Sequence, residues 1–128
     1  MFANYKILIY SENPDELMKF YRDVLGLTLA SKLDIPNDYG YSFEVQGEWK
    51  LWIGKHSEVK GKNTEPFRHI FNLYPKSVTE WYNKVKNAEG VTIISKPEET
   101  PFSTPENPTY VSTFLDPEGN CWQFMGPK

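Results

Sequence analysis

Leu17-Met18-Lys19-Phe20-Tyr21-Arg22-Asp23-Val24-Leu25-Gly26-Leu27-Thr28-Leu29 carries an apolar stripe at three- and four-residue steps (Leu17, Phe20, Tyr21, Val24), a glycine stop and then an alternating β-rich run. It reads as a helix followed by a strand. Upstream, Asn13 stands as an N-cap, Pro14 suits the first helical position and Glu16 can close a capping box. Tyr5 to Tyr10 before it is a strand candidate, so the segment is a β-α-β unit.

The same grammar is written again. His69 to Tyr74 is a strand candidate, and Ser77 with Glu80 is spaced as a capping box. The following helix is striped by Val78, Trp81, Tyr82, Val85 and Ala88, Gly90 stops it, and Val91 to Ser95 is the next strand. Phe20-Tyr21 recurs at Trp81-Tyr82, Gly26-Leu27 at Gly90-Val91 and Lys6-Ile7 at His69-Ile70, nearly constant offsets that indicate a duplicated unit. After each unit come two more strands: Tyr39 to Gln46 with Trp49 to Ile53, and Tyr110 to Phe114 with Cys121 to Met125. Asp116-Pro117-Glu118-Gly119-Asn120 has the composition of a tight turn between the last pair. Each half reads βαβββ, giving an α+β chain with modules at 1–58 and 66–128 and a linker near 54–66. At 128 residues the halves make a single domain, since neither alone buries both faces of its sheet.

Lys96 to Pro108 holds Pro97, Pro101, Pro105 and Pro108, a content that excludes a central strand. It is expected as a loop. With Phe102, Ser103 and Thr104 it is either a lid over a pocket or a stiffened surface connection.

Net charge is −3, and Lys50, Lys55, Lys60 and Lys62 are interleaved with glutamates, so no basic stripe for nucleic acid exists. Ile7 to Tyr10 is far short of a membrane span and lacks a basic leader, so neither a membrane segment nor a signal peptide is expected. Cys121 is the single cysteine and cannot form an internal disulfide, which makes the cytoplasm the expected compartment. No phosphate-binding glycine loop, zinc-protease helix or serine elbow is present.

On these residues the chain resembles the vicinal oxygen chelate superfamily, which groups glyoxalase I, bleomycin-resistance proteins and extradiol dioxygenases. Lys19 to Leu27 is similar to the family's first-helix signature, Phe114 to Asn120 to its turn before the last strand, and His69-Ile70-Phe71 to the start of its second module. The resemblance covers the whole chain. It implies tandem modules forming a curved, cup-shaped mixed sheet with helices outside, and a homodimer.

It also implies where a divalent ion would sit in metal-using members: on the first and last strands of each module. Those positions fall on Lys6, next to Tyr5; on Leu51 or Trp52; on His69; and on Gln123, where Glu is usual. Lys, Leu and Trp are not metal ligands under ordinary conditions, so a metal site would be reduced to His69 and Gln123 with help from Glu44; Glu48 lies in a turn. The expectation is therefore no cofactor, with a divalent metal ion as the alternative.

The remaining residues point to ligand contact. His69 shares a face with Phe71 and Leu73 by alternation, as a pocket hydrogen-bonding group, a satisfied histidine or a base. Gln123 is a polar amide in an otherwise apolar strand and needs a partner on protein or ligand. Trp49, Trp52, Phe43 and Tyr110 are either core or the lining of an aromatic crevice, with Phe102 above it; Lys6 meets an anionic substituent or reaches to the rim. Cys121 reads as a small core residue. The preferred expectation is metal-independent binding of a small, partly aromatic molecule. A divalent-metal-dependent lyase or dioxygenase, and an accessory domain without a pocket, are the alternatives.

Overall fold

The computed structural model describes residues 1–128, which divide into two compact units, Met1–Gly61 and Lys62–Lys128. In the first unit, β1 (Ile7–Ser11) is followed by α1 (Pro14–Lys19), which continues as one π-helical turn (Phe20–Val24), then by β2 (Thr28–Ile35), β3 (Asp38–Val45) and β4 (Glu48–Lys55). Its four-stranded sheet has the order β1-β4-β3-β2, with β1 parallel to β4 and the other pairs antiparallel. The second unit repeats this as β5 (Ile70–Leu73), α2 (Val78–Val85), β6 (Thr92–Glu99), β7 (Tyr110–Leu115) and β8 (Cys121–Gly126), in the order β5-β8-β7-β6. The chain is thus two tandem βαβββ modules, each with one helix against its own mixed sheet.

The two helices start differently. Ser77 has the extended backbone of a cap residue, and its Oγ accepts from the Glu80 amide at 3.1 Å. Asn13, expected in the same role, makes no side-chain cap. With φ −133° and ψ 76° its side chain does not turn back on the helix; its own amide donates to Ser11 Oγ at 2.9 Å, and Glu16 pairs with Lys19 instead of closing a capping box. At the other end, the Leu25 amide reaches the Phe20 carbonyl five residues back, and Gly26 at φ +69° lets the Leu27 amide close on the Tyr21 carbonyl. Tyr21 is wholly buried by this turn and packs near Phe43, with Leu17, Leu51 and Ile53 also buried in that unit. In the second unit Trp81 of α2 lies 5.7 Å from Phe124 and Phe114 5.0 Å from the same ring, above buried Val78 and Val85.

Two strands run further than the sequence patterns suggest. β2, opened by the Thr28-Leu29 run, continues to Ile35 and turns at Pro36-Asn37 into β3. β6 runs to Glu99, so Lys96 to Glu99 are strand and not loop. Pro97 is tolerated because β6 is an edge strand whose register slips between Ser95 and Glu98, so its missing amide breaks no central ladder. The α2 stripe is shorter than expected, ending at Val85 before Ala88.

The Asp116 to Asn120 turn is organised by its buried carboxylate. Asp116 Oδ1 accepts from the Glu118 and Asn120 amides at 2.8 and 3.0 Å, and Oδ2 from the Asn120 side chain at 2.9 Å. Gly119, at φ +84°, passes so close to the Asn63 carbonyl that a Cβ would sit 2.7 Å from it.

Candidate functional site

Strand pleating sorts the second sheet into two faces. Phe71, Leu73, Phe114, Trp122 and Phe124 share the α2 side, as the Trp81–Phe124 and Phe71–Trp122 ring contacts require. Gln123 therefore points to the opposite face. There it is in register with Asn72 on β5 and Thr113 on β7, which places three uncharged polar side chains in a row across adjacent strands. Gln123 Nε2 donates to Thr113 Oγ1 at 3.1 Å, and Asn72 Nδ2 donates to the Tyr74 hydroxyl at 3.3 Å and lies 4.0 Å from the Met125 sulfur.

Tyr74 and Met125 lead from that row into a cleft of about 390 Å³. Its outer wall is the Thr100–Thr109 loop, which contributes Phe102, Asn107, Pro108 and Thr109; Gly126 and Pro127 complete it on the other side. The loop is pinned at its neck: the Thr100 amide donates to the Thr109 carbonyl at 2.9 Å and the Thr109 amide to Ser103 Oγ at 2.9 Å. The tail wall is pinned to α2. The Val78 amide donates to the Pro127 carbonyl at 2.9 Å, and the Thr79 amide and Ser77 Oγ donate to the Lys128 carbonyl at 3.2 and 2.6 Å. Backbone and serine hydrogen bonds thus tie down the loop neck and the tail on either side of the cleft.

His69 is not brought to this row. It lies one residue before β5 with extended backbone (φ −131°, ψ 120°), so parity turns its exposed side chain to the same side as Phe71 and away from Gln123. Asn72, which sequence reading passed over, holds the position beside Gln123. The signal was parity counted back from Gln123 through the parallel β5–β8 pair.

The other candidates are distributed over the two units. In the first, Lys6 Nζ sits 4.4 Å from the centre of the Trp49 ring, whose indole N–H donates to the Leu51 carbonyl at 3.2 Å. Glu44 faces Trp49 across the β3–β4 bulge and is half-buried. Phe43 is buried against Tyr21, a place that core packing accounts for. Trp52 is buried too, its indole lying against Gly54 and Gly40; a Cβ on Gly54 would sit 2.0 Å from Trp52 Nε1. In the second unit Tyr110 is half-buried beneath Lys128 Nζ, 5.6 Å from its ring. Phe102 lines the cleft.

No three His, Cys, Asp or Glu side chains gather in a way that could hold a metal ion. Gln123 offers one neutral oxygen, His69 faces elsewhere and Lys6 is engaged over Trp49, so the family's donor positions do not fit a divalent cation. Cys121 is buried, and burial pushes its thiol above the ordinary value, the opposite of what a nucleophile needs.

One cluster escaped sequence reading. The Tyr39 and Tyr41 hydroxyls both donate to Asp15 Oδ1 at 2.5 Å, and Lys32 Nζ lies 5.2 and 5.6 Å from their ring centres. These hydrogen bonds, helped by Lys32 and Lys19, hold the Asp15 carboxyl below its usual range; burial first, then Asp15, pushes the Tyr41 hydroxyl upward. The cluster ties the start of α1 to β3. Its signal was the spacing of Tyr39 and Tyr41, which puts both on one face of a strand.

The family model of the Glyoxalase/Bleomycin resistance protein/Dioxygenase superfamily matches residues 6–124, and the chain belongs to that superfamily. No curated protein matches it in sequence. Among solved structures it is similar to a hypothetical protein from S. aureus, with 19% identity over 98% of this chain and 95% of that one and a TM-score of 0.75. A superfamily member from Sphaerobacter thermophilus gives 17% identity, 98% and 97% coverage and a TM-score of 0.75. A lactoylglutathione lyase from Agrobacterium tumefaciens gives 23%, 96% and 92%, and 0.66. At these identities the likeness is one of fold. The site described above is an uncharged one joined to an aromatic cleft, without a metal-coordinating set.

Proposed function

We propose that this protein binds a small, partly aromatic molecule without a metal ion, on the face of the second sheet that carries Gln123 and in the adjoining cleft. The observation that carries this reading is the continuity of an amide row with an aromatic cleft through the Tyr74–Asn72–Met125 contacts. Rings supply apolar area, and the amides, half-buried at Gln123 and exposed at Asn72, supply the few directional contacts that orient a ligand. Gln123 and Phe102 are the residues assigned to contact, with Tyr110 at the margin. His69, Lys6, Trp49, Trp52 and Phe43 remain candidates only if the bound molecule extends beyond this face.

The single free cysteine and the mildly acidic chain support a cytoplasmic protein without a nucleic-acid partner. No helix is long and apolar enough to cross a membrane. The outer strands β1 and β5 each leave one edge without a partner strand in their sheets, which supports a homodimer as the working assembly.

Calorimetric titration against a panel of aromatic antibiotics and metabolites tests the reading. Saturable binding that Gln123→Ala weakens about tenfold is the expected result; no saturable binding across the panel overturns it. The divalent-metal lyase or dioxygenase reading requires about one ion per chain retained through purification, and elemental mass spectrometry decides that separately.

A further inference from the structure

Every residue lining the cleft is uncharged, and two of them are exposed aromatic rings. Phe102 is 63% and Tyr74 74% accessible. Phe102 sits on a loop whose neck is closed by the Thr100–Thr109 and Thr109–Ser103 bonds, and the Tyr74 hydroxyl accepts from Asn72. Holding two large rings toward solvent forgoes the burial that would otherwise stabilise the fold. A flat ligand ring placed beside them recovers that area, and the bonded loop neck and tail reduce the ordering that binding requires.

The polar groups of the cleft are amide and hydroxyl only. The Asn107 side chain makes no hydrogen bond within the protein, and Thr109 Oγ1 donates to the Asn107 carbonyl at 3.2 Å. Glu106 and Lys128 adjoin lining residues in sequence with opposite signs, and the Lys128 ammonium rests over Tyr110. An ionised group that exchanged part of its water for this lining would meet no charged side chain in it, so the lost hydration is not returned as an ion pair. A neutral amide, imide or phenol edge would instead pair with Asn107.

From this we infer that the cleft selects uncharged flat aromatic molecules carrying an amide-like hydrogen-bonding edge, and discriminates against carboxylates and ammonium ions of the same ring size. The inference rests on the small-molecule reading above and adds the charge class of the ligand.

Three probes of one ring system test it on the full chain: 2-naphthamide, 2-naphthoate and 2-naphthylmethylammonium, titrated calorimetrically at pH 7. The neutral amide should bind at least tenfold more tightly than either ion, and Phe102→Ala should weaken it at least fivefold with the circular dichroism unchanged. Tyr74→Ala serves as a second variant with the same expectation. Equal or tighter binding of an ion that still depends on Gln123 overturns the charge selection and leaves the small-molecule reading standing. Amide binding that neither Phe102→Ala nor Tyr74→Ala alters places the ligand elsewhere and overturns the cleft assignment alone. Failure of all three probes together with the antibiotic and metabolite panel removes both.

Discussion

Gln123 and Thr113 face each other across β8 and β7, and the Gln123 amide donates to the Thr113 hydroxyl at 3.1 Å on the side of the sheet turned from α2. Thr113 is only 8% exposed, so this bond satisfies a group that water reaches poorly.

Removing the donor while leaving the acceptor is therefore costly in a defined way. Gln123→Ala should destabilise the protein by about 1 kcal/mol, the scale of one lost hydrogen bond to a poorly hydrated partner, and Thr113→Val should cost a similar amount. The two differ in function: Gln123→Ala should lose ligand affinity about tenfold, and Thr113→Val no more than about twofold, because Gln123 is the group offered to the ligand. Denaturant melts paired with calorimetry on both variants check this, and equal losses of affinity would make the pair a structural unit.

Restoring the carboxylate usual for the family at this position should not restore a metal site. Gln123→Glu supplies one anionic ligand, but His69 points to the opposite side of the strand and no carboxylate or imidazole triad exists to join it. Loading with nickel, zinc or manganese followed by desalting should leave well under one ion per chain by elemental mass spectrometry. Retention of about one ion would overturn the parity argument for His69.

That parity also shows what sequence can and cannot carry. The duplicated modules, the Ser77 cap and the Gly26 stop were legible because each is a local signal: a spacing, a hydroxyl before a helix, a glycine with positive φ. Gly90 misled, because α2 already ends at Val85 and the positive φ of Gly90 serves a separate turn closed by the Val91 amide on the Ala88 carbonyl. The side of the sheet taken by His69 depends on where β5 begins, and moving that point by one residue exchanges the two faces. Asn72 was hidden by the same ambiguity. Pro97 misled in another way, because its tolerance rests on β6 lying at a sheet edge, a property of strand order and not of neighbouring residues. The Asp15–Tyr39–Tyr41 cluster joins residues more than twenty positions apart, which no periodicity connects.

Trp52 stacks where only glycine leaves room. A Cβ at Gly54 would stand 2.0 Å from the indole nitrogen, and one at Gly40 2.5 Å from Trp52 Cζ2 and 2.6 Å from the Ile53 carbonyl. Gly54→Ala meets the Trp52 indole first and should displace it at about 1–3 kcal/mol, the range for overpacking; Gly40→Ala meets backbone at 2.6 Å as well and should cost more. Thermal melts with tryptophan fluorescence check the order. A Gly40→Ala variant milder than Gly54→Ala would mean that the strands part more easily than the ring moves.

The Asp15 clasp makes stability depend on pH at both ends. Because two tyrosine hydroxyls lower the Asp15 carboxyl below its ordinary 3.8, the clasp is fully present above that value and is lost as pH falls through the folded-state value beneath it. Tyr41 behaves in the mirror sense. Its hydroxyl is raised above the ordinary 10.0, so its contribution is complete below pH 10 and declines as pH rises, since the unfolded chain then ionises first. Tyr41→Phe removes one donor from Asp15 and the group that resists ionisation. It should lower stability by about 1 kcal/mol at neutral pH, reduce the acid slope and abolish this alkaline component. Urea melts of wild type and variant between pH 3 and 11 measure all three effects. Parallel curves with a constant offset would assign Tyr41 to packing and remove Asp15 from the pH response.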